Sequence, residues 1–262
     1  MSVRMKIMTF NVRTPVKTDE INWFWNRTGR ITEVIAKELP DLIGFQEATR
    51  DVRKFLTEAL FPFGYLVVGC GREKDLHGEG TAIAYRRERF ELLTLESRWL
   101  SLTPSLPGST FGGDQSIYPR IFTAAVLKCD GAAEPFLFLN THLDHKGQTA
   151  RLLGAAEIMQ YVAEKGLHFL ITGDMNALPD TGEIRAFTAC QPAGLPVKDL
   201  TEDIRGTFHK FGAFAGDRIT KIDYIFSDLP ADKTEAYRVE DTPENGVYIS
   251  DHFPVVAFAE LP

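Results

Sequence analysis

Long apolar runs are missing from the 262-residue sequence. No stretch approaches the roughly 18 apolar residues that a membrane-spanning helix needs, so a membrane partner is not predicted. The first ten residues predict the start of a β-strand and have no apolar core of the kind found in secretory leaders. We therefore expect a cytoplasmic protein.

Cysteine is also scarce. Cys70, Cys129 and Cys190 lie far apart in the sequence, with no spacing typical of a metal or redox site. An odd number of cysteines without pairing logic is typical of a reducing compartment, which agrees with a cytoplasmic location.

Clustered positive charge is missing as well: 29 Lys and Arg residues face 36 Asp and Glu residues, for a net charge of −7. Proteins that hold long nucleic acids usually present clusters of Lys and Arg to the phosphates. The densest basic segment, 85–89, is interrupted by an acid and is typical of a turn between strands. The charge favours a small-molecule partner, and nucleic acid stays a less favoured alternative because local potential matters more than net charge.

Two catalytic signatures have no match. The sequence has no glycine-rich phosphate loop of the nucleotide-triphosphatase kind, which argues against phosphoryl transfer from ATP. It also has no serine or cysteine in a recognisable nucleophile setting. A hydrolytic reaction would therefore use direct attack by water.

Short apolar runs alternate with longer helix-like stretches. Four helices are predicted, with Asp180 as the N-cap of the last: Gly29–Leu39, Asp51–Leu60, Gln148–Lys165 and Thr181–Ala189. Ten strands are predicted: Lys6–Phe10, Asp41–Gln46, Tyr65–Gly69, Thr81–Arg86, Phe90–Arg98, Ile121–Lys128, Phe136–Asn140, His168–Thr172, Lys221–Phe226 and Pro254–Ala259. So many strands with few helices favour two packed sheets with helices outside. We find no linker, and predict one α/β domain over residues 1–262.

Several of these strands end in side chains that can carry chemistry. Asn11, Glu47, His142 and Asp174 each follow an apolar run. Ligand sites are often built where strand ends meet. The pattern therefore predicts one polar cleft.

Three segments supply candidate chemistry. Asp174 could orient or deprotonate a water and Asn176 could donate to a phosphoryl oxygen, although a plain turn would also suit both residues. Asp251 beside His252 could supply a metal ligand and a proton-handling group, or simply cap a turn. Asp223 lies inside an apolar strand, where an acid needs a partner such as a histidine.

Taken in order, these motifs resemble the endonuclease/exonuclease/phosphatase superfamily, which includes DNase I. The specific motifs are Gly-Asp-Met-Asn and Ser-Asp-His-Phe-Pro, with Thr-Phe-Asn and Gln-Glu in support. The resemblance covers Asn11 to His252. It implies a four-layer sandwich in which two mixed sheets are flanked by helices.

The resemblance also implies roles for individual residues. Asn11, Glu47 and Asp251 would hold Mg²⁺, for which Mn²⁺ could substitute, because carboxylate and amide oxygens suit hard cations. In the catalytic set, Asp174 would activate water and Asn176 would bind the phosphate. His142 would stabilise charge or protonate the leaving group. His252 would contact the phosphate, with its tautomer fixed by Asp223.

Two further positions match less distinctive family features. Glu79 lies where some members carry a glutamate paired with the first histidine, and Arg120 lies where they carry a phosphate-contacting arginine. Both could instead belong to structural ion pairs. The roles of Asp144 and His145 stay open, and Trp99–Pro107 resembles a loop of bacterial members.

The sequence thus predicts a metal-dependent hydrolase of phosphodiester or phosphomonoester bonds in a phosphorylated small molecule. The first alternative is an endonuclease or exonuclease acting on DNA or RNA. The second is a non-catalytic binding protein that retains the fold.

Overall fold

The computed structural model describes residues 2–194 and 196–262, which form two six-stranded sheets and four α-helices. The first sheet contains β1 (Val3–Asn11), β2 (Leu42–Gln46), β3 (Tyr65–Val68), β4 (Ala82–Arg86), β11 (Tyr237–Arg238) and β12 (Val255–Leu261). The second contains β5 (Phe90–Trp99), β6 (Ile121–Cys129), β7 (Phe136–His142), β8 (Phe169–Asp174), β9 (Lys198–Asp199) and β10 (Asp223–Ser227). The helices are α1 (Phe24–Glu38), α2 (Arg50–Leu60), α3 (Gln148–Lys165) and α4 (Gly182–Thr188).

Each sheet is built around one parallel pair of strands. The strand orders are β11-β12-β1-β2-β4-β3 and β5-β6-β7-β8-β10-β9. Strands β1 and β2 are parallel and joined through α1, and β7 and β8 are parallel and joined through α3. Because parallel neighbours end at the same edge, Asn11 pairs with Gln46 and His142 with Asp174 at the carboxyl ends of the strands.

The core is divided by the alternation of side chains along the strands. In β1, Met5 and Ile7 belong to an apolar cluster with residues of both sheets, whereas Met8 and Phe10 belong to a cluster with α1 and α2. In β8, Leu170 joins the cluster between the sheets, whereas its neighbours join one that includes α3 and α4. This period of two predicts the four layers that are observed: helices, sheet, sheet, helices.

A polar network joins the sheets at the end of this core. The Gln46 side-chain amide donates to Thr9 Oγ1 (3.0 Å) and to Asn140 Oδ1 (2.7 Å), and Thr172 Oγ1 donates to the same Asn140 oxygen (3.1 Å). Gly44 lets the sheets approach here, because a Cβ at this position would lie 2.0 Å from Thr172 Oγ1. The network lies one or two residues before Asn11, Glu47, His142 and Asp174, so it fixes the four strand ends relative to one another.

The sandwich and all ten predicted strands are confirmed, and three local predictions need correction. Helix α1 begins at Phe24 rather than Gly29, because the buried Arg27 interrupts the apolar pattern of its first turn. The N-cap of α4 is Thr181, whereas Asp180 adopts a left-handed conformation with a φ of 65°. The two-residue strands β9 and β11 were not predicted, because they are too short to show periodicity. Among the described residues, no helix is long and apolar enough to cross a membrane.

Candidate active site

A cleft of about 430 Å³ opens where the strand ends of the two sheets meet. Eight of the ten predicted site residues line it: Glu47, Glu79, Arg120, His142, Asp174, Asn176, Asp251 and His252. The other two lie directly behind this lining, where Asn11 contacts Glu47 and Asp174, and Asp223 contacts His252. The structure therefore brings the whole predicted set together.

The carboxylate of Asp174 lies at the centre of the cleft. Its Oδ2 atom accepts a hydrogen bond from Asn11 Nδ2 (3.0 Å) and faces the Nε2 atoms of His142 (3.6 Å) and His252 (3.8 Å). Burial and the negative charge of Asp223 raise the pKa of Asp174 to about 7. A carboxylate with a pKa near neutrality can take up and release a proton during a reaction at neutral pH.

His252 is held between carboxylates. Its Nδ1 atom is 2.9 Å from Asp223 Oδ2, while its Nε2 atom faces Asp174 and Asp251. Burial alone would lower the pKa of His252, but the charge and hydrogen bond of Asp223 outweigh burial and raise this pKa to about 10. The imidazolium then carries an N–H on both nitrogens, of which Nδ1–H bonds Asp223, while Nε2 lies 3.8 Å from the nearest carboxylate oxygen. The phenyl ring of Phe208 packs against the imidazole at 4.9 Å between ring centroids.

His142 has the opposite electrostatic character. Burial and the positive charges of Arg120 and Arg72 hold the pKa of His142 well below its ordinary value. The ring is therefore a neutral imidazole in the protein alone. The cleft thus pairs one charged and one neutral histidine across the same carboxylate.

Glu47, Asn11 and Asp251 form the wall where a cation was predicted. Glu47 accepts hydrogen bonds from Asn11 Nδ2 (3.1 Å) and from the backbone N–H of Thr14 (2.8 Å), and Arg13 Nε is 3.8 Å from Asp251 Oδ2. Burial opposes ionisation of Glu47, but Arg13 and the Thr14 N–H outweigh it and hold the Glu47 pKa below its ordinary value. Glu47 is therefore charged at neutral pH.

The effect of the Glu47 charge on its neighbours indicates whether a divalent cation fits this wall. Together with burial, it raises the pKa of both Asp251 and Glu79. Neighbouring carboxylates that repel one another are relieved by a cation between them, and hard oxygen donors suit Mg²⁺, which commonly uses one or two carboxylates plus phosphate oxygens. The residues present fit such an ion.

Asp174, Asp223 and His252 form a second acidic cluster, with one potential ligand atom of each within 4.8 Å of the others. Both carboxylates already face the His252 ring, with Asp223 Oδ2 2.9 Å from Nδ1 and Asp174 Oδ2 3.8 Å from Nε2. This cluster is therefore better described as a proton-handling ion triad than as a metal site.

Asn176 and Arg120, which the resemblance assigns to phosphate binding, both line the cleft. The Asn176 backbone N–H donates to Asp174 Oδ1 (2.9 Å), and its side-chain amide donates to the carbonyl of Leu143 (3.1 Å). The Arg120 guanidinium lies 3.4 Å from Asp144 Oδ2 and donates to His145 Nδ1 (2.9 Å). Asp144 and His145, whose roles the sequence left open, both contact Arg120.

Glu79 forms an ion pair with an arginine, which is the alternative that the sequence left open for this residue. Its carboxylate pairs with Arg72 Nη1 at 2.6 Å. Arg72 and Glu79 face each other across a turn, where the Arg72 N–H donates to the Glu79 carbonyl (2.9 Å). This backbone pairing places the two side chains together.

Sequence reasoning missed two arginines of the cleft, Arg13 and Arg72. Arg13 stands two residues after Asn11, with a left-handed φ of 54° and its guanidinium on Asp19. A signal for Arg13 existed in its closeness to Asn11. Arg72 follows no strand-end motif, so its position depends on tertiary contacts.

Two six-stranded mixed sheets packed between helices, with a polar cleft at their strand ends, define the DNase I-like class of α/β sandwiches. The model of the endonuclease/exonuclease/phosphatase family matches residues 8–252. The chain therefore belongs to the endonuclease/exonuclease/phosphatase family.

Three similar proteins illustrate the relationship. An endonuclease/exonuclease/phosphatase of Bacteroides vulgatus is 26% identical, with a TM-score of 0.90 over 99% of this chain and 100% of that one. The mannosyl-6-phosphatase of Bacteroides thetaiotaomicron VPI-5482 is 28% identical, with a TM-score of 0.80 over 97% of this chain and 98% of that one. An uncharacterised protein of Acanthamoeba polyphaga mimivirus is 24% identical and covers 98% of this chain and 100% of its own length.

Proposed function

We propose that the protein hydrolyses a phosphoester bond of a phosphorylated small molecule by direct attack of water, with the help of a divalent cation. The observation that carries this proposal is the environment of Asp174, whose Oδ2 atom faces two imidazoles and one amide at the centre of the cleft. Such a constellation can position a water and handle its proton beside an anionic substrate.

Each neighbouring residue has a role in this reaction. Asp174 orients the water and accepts its proton, which suits a pKa of about 7. Asn176 and Arg120 bind the phosphoryl oxygens, and the imidazolium of His252, held by Asp223, neutralises charge on them. His142, as a neutral imidazole, stabilises the departing oxygen through an N–H hydrogen bond.

Asn11, Glu47 and Asp251 would hold the cation, Mg²⁺ or Mn²⁺. When bound, the cation supplies positive charge to the phosphoryl oxygens as a Lewis acid. Glu47 keeps its negative charge for this purpose because of Arg13 and Thr14. A cytoplasmic, single-domain enzyme remains part of the same proposal.

Two observations support a small substrate. The cleft volume of about 430 Å³ lies within the range of roughly 300–1,000 Å³ that is typical of small-molecule sites. The mannosyl-6-phosphatase, which is 28% identical, carries a sugar phosphatase activity in its name. A nuclease is the competing function, since the residues around Asp174 would treat any phosphoester alike.

The test measures hydrolysis of nitrophenyl phosphate and bis(nitrophenyl) phosphate with Mg²⁺, with Mn²⁺ and with EDTA. We expect EDTA to abolish turnover, and Asp174→Asn to lower kcat by roughly 10²–10⁴-fold with a smaller change in KM. Asp228→Asn is the matched control, because Asp228 is also a buried strand-end acid beside a histidine, His168, but outside the cleft.

Full activity in EDTA would contradict the metal dependence. A normal kcat in the Asp174→Asn variant would instead assign Asp174 to a structural turn. If the wild type hydrolyses neither ester, with Mg²⁺ or with Mn²⁺, the result would favour the non-catalytic alternative.

A further inference from the structure

A small cavity of about 10 Å³ adjoins the cleft beside His142. Arg72 and Arg120 line both the cavity and the cleft. Each arginine also has a buried N–H group, Arg72 Nε and Arg120 Nη1, without a hydrogen-bond partner in the described residues. Arg72 Nε comes no closer than 3.6 Å to the carboxylate of Glu73. Two guanidinium groups that line one cavity thus each keep an unused donor.

Both guanidinium groups are held in place before any substrate binds. Arg72 lies between the carboxylate of Glu79 at 2.6 Å and the ring of Tyr118, whose centroid is 4.6 Å away. The indole Nε1 of Trp99 donates to the Arg72 carbonyl (2.6 Å). Arg120 is held by Asp144 and His145 on its other side. Only 7% of Arg72 and 4% of Arg120 is exposed.

The two cations also repel each other in the protein alone. Burial and the positive charge of Arg72 lower the pKa of Arg120. An anionic oxygen between them would relieve this repulsion and complete the hydrogen bonds of both side chains. Guanidinium groups are well suited to this task, because their donors match phosphate oxygens in a fixed geometry.

The size of the cavity limits what can enter it. A volume of roughly 10–15 Å³ is enough for one water molecule, and therefore for one oxygen atom. An oxygen that also carries a methyl group or a sugar carbon needs more room. The walls include the buried backbone around Gly80 and Ile121, where little adjustment is possible.

We propose that the Arg72–Arg120 cavity is a subsite for a terminal phosphate oxygen, and that it makes the protein select phosphomonoesters over phosphodiesters. A monoester has three oxygens that are not esterified, so one can enter the cavity while the others face Asn176 and the cation wall of Glu47 and Asp251. A diester has only two, so it cannot fill the cavity and the two other positions at once, and an esterified oxygen is too large for the cavity. This inference rests on the proposed phosphoester hydrolysis and specifies its substrate class.

The test compares nitrophenyl phosphate with its methyl ester, methyl nitrophenyl phosphate, which has the same leaving group. We expect wild type to prefer the monoester clearly in kcat/KM. Removing one buried charged donor with Arg72→Gln should lower kcat/KM for the monoester by roughly ten- to a hundredfold, and should lower the ratio of monoester to diester kcat/KM by at least about fivefold. Arg72→Lys, which keeps the charge, should restore part of the loss.

Arg98→Gln is the control, because Arg98 is a partly exposed arginine of β5 that contacts Glu96 and Tyr161 outside the cleft. It should leave the preference unchanged. Thermal unfolding of each variant checks that the fold is retained. Equal or better wild-type activity on the methyl ester would overturn the proposed selection, while hydrolysis of that ester would still support the proposed function.

A binding measurement tests the subsite without turnover. Inorganic phosphate is mostly dianionic at pH 8, whereas dimethyl phosphate carries one charge and no terminal third oxygen. Calorimetric titration should show that the wild type binds inorganic phosphate at least about tenfold more tightly than the Arg72→Gln variant does. The affinities of the two proteins for dimethyl phosphate should not differ by such a factor. Equal phosphate affinity in the two proteins would overturn the subsite, whether or not any ester is hydrolysed.

Discussion

The imidazole of His252 illustrates how single residues of the cleft depend on one another. Its Nδ1–H donates to Asp223, and the same Asp223 charge raises the His252 pKa to about 10. Asp223 in turn is buried, and its Oδ1 atom has no hydrogen-bond partner among the described residues. Removing either member would leave the other as an uncompensated buried group.

We therefore predict that Asp223 and His252 act as one unit in catalysis. The variants Asp223→Asn and His252→Gln should each lower kcat by roughly 10²-fold or more, and the double variant should lose little beyond the larger single loss. A double-mutant cycle on kcat measures this coupling. The same cycle on Asp228 and His168, which pair at 2.7 Å outside the cleft, is the control. Strictly additive losses at Asp223 and His252 would contradict the prediction.

Four of the site residues could be predicted from the ends of apolar strands alone. Asn11, Glu47, His142 and Asp174 stand at positions where a periodic pattern stops, and strand pairing then brings them together. Arg72 could not be found this way. Its placement depends on Trp99 and Glu79, which are 27 and 7 residues away, and on contacts that exist only after the sheets have packed.

At the scale of elements, α1 contributes a buried arginine that ties together the segments around the cleft. Arg27 is fully buried and donates to the carbonyls of Asn22 (2.6 Å), Val12 (2.9 Å) and Ile249. Val12 follows Asn11 at the end of β1, and Ile249 precedes the Ser-Asp-His segment. One guanidinium therefore connects two segments that carry site residues.

We predict that Arg27→Met lowers the free energy of unfolding by about 3–5 kcal/mol, because several buried carbonyls lose their donor. Chemical denaturation measures this loss. Lys37→Met is the matched control on an exposed position of the same helix and should change stability by less than about 1 kcal/mol. A loss at Arg27 no larger than that of the control would show that water replaces the guanidinium.

The same residue explains why the start of α1 was misplaced. Apolar periodicity identifies a helix by its buried face, and Arg27 occupies that face between Phe24 and Ile31. The helices α2 and α3, whose buried faces carry no such charge, were located to within one residue at each end. Sequence patterns therefore located the elements well wherever apolar residues alone filled the buried face.

At the scale of the whole molecule, the two-sheet sandwich followed from the number of strands and helices, but the connection between the sheets did not. In the sequence, four residues look like ordinary polar interruptions of apolar strands: Thr9, Gln46, Asn140 and Thr172. In the structure they form the buried network below the cleft, with Gly44 allowing the close approach. Such a network is visible only when residues of both sheets are placed together.

The distribution of charge is also a property of the whole molecule. The net charge is −7, yet three arginines line the cleft. Each is paired with an acid: Arg13 with Asp19, Arg72 with Glu79, and Arg120 with Asp144. The positive charge of the cleft is thus compensated locally. A single phosphate can use it, whereas a chain of phosphates would need more.

This distribution predicts how activity responds to salt. A polymer-binding groove neutralises several phosphates. Each neutralised phosphate adds roughly 0.7–0.9 to the slope with which the logarithm of affinity falls against the logarithm of salt concentration. We expect kcat/KM for a small phosphoester to change by no more than about fourfold between roughly 50 and 200 mM NaCl at fixed Mg²⁺, because only one phosphate is bound. Duplex DNA and poly(A), assayed at the same enzyme concentration, should be cleaved more slowly than the small ester. Efficient cleavage of either polymer, at a rate that falls by an order of magnitude or more over this salt range, would contradict the small-molecule assignment. That result would leave the roles of Asp174 and His252 intact.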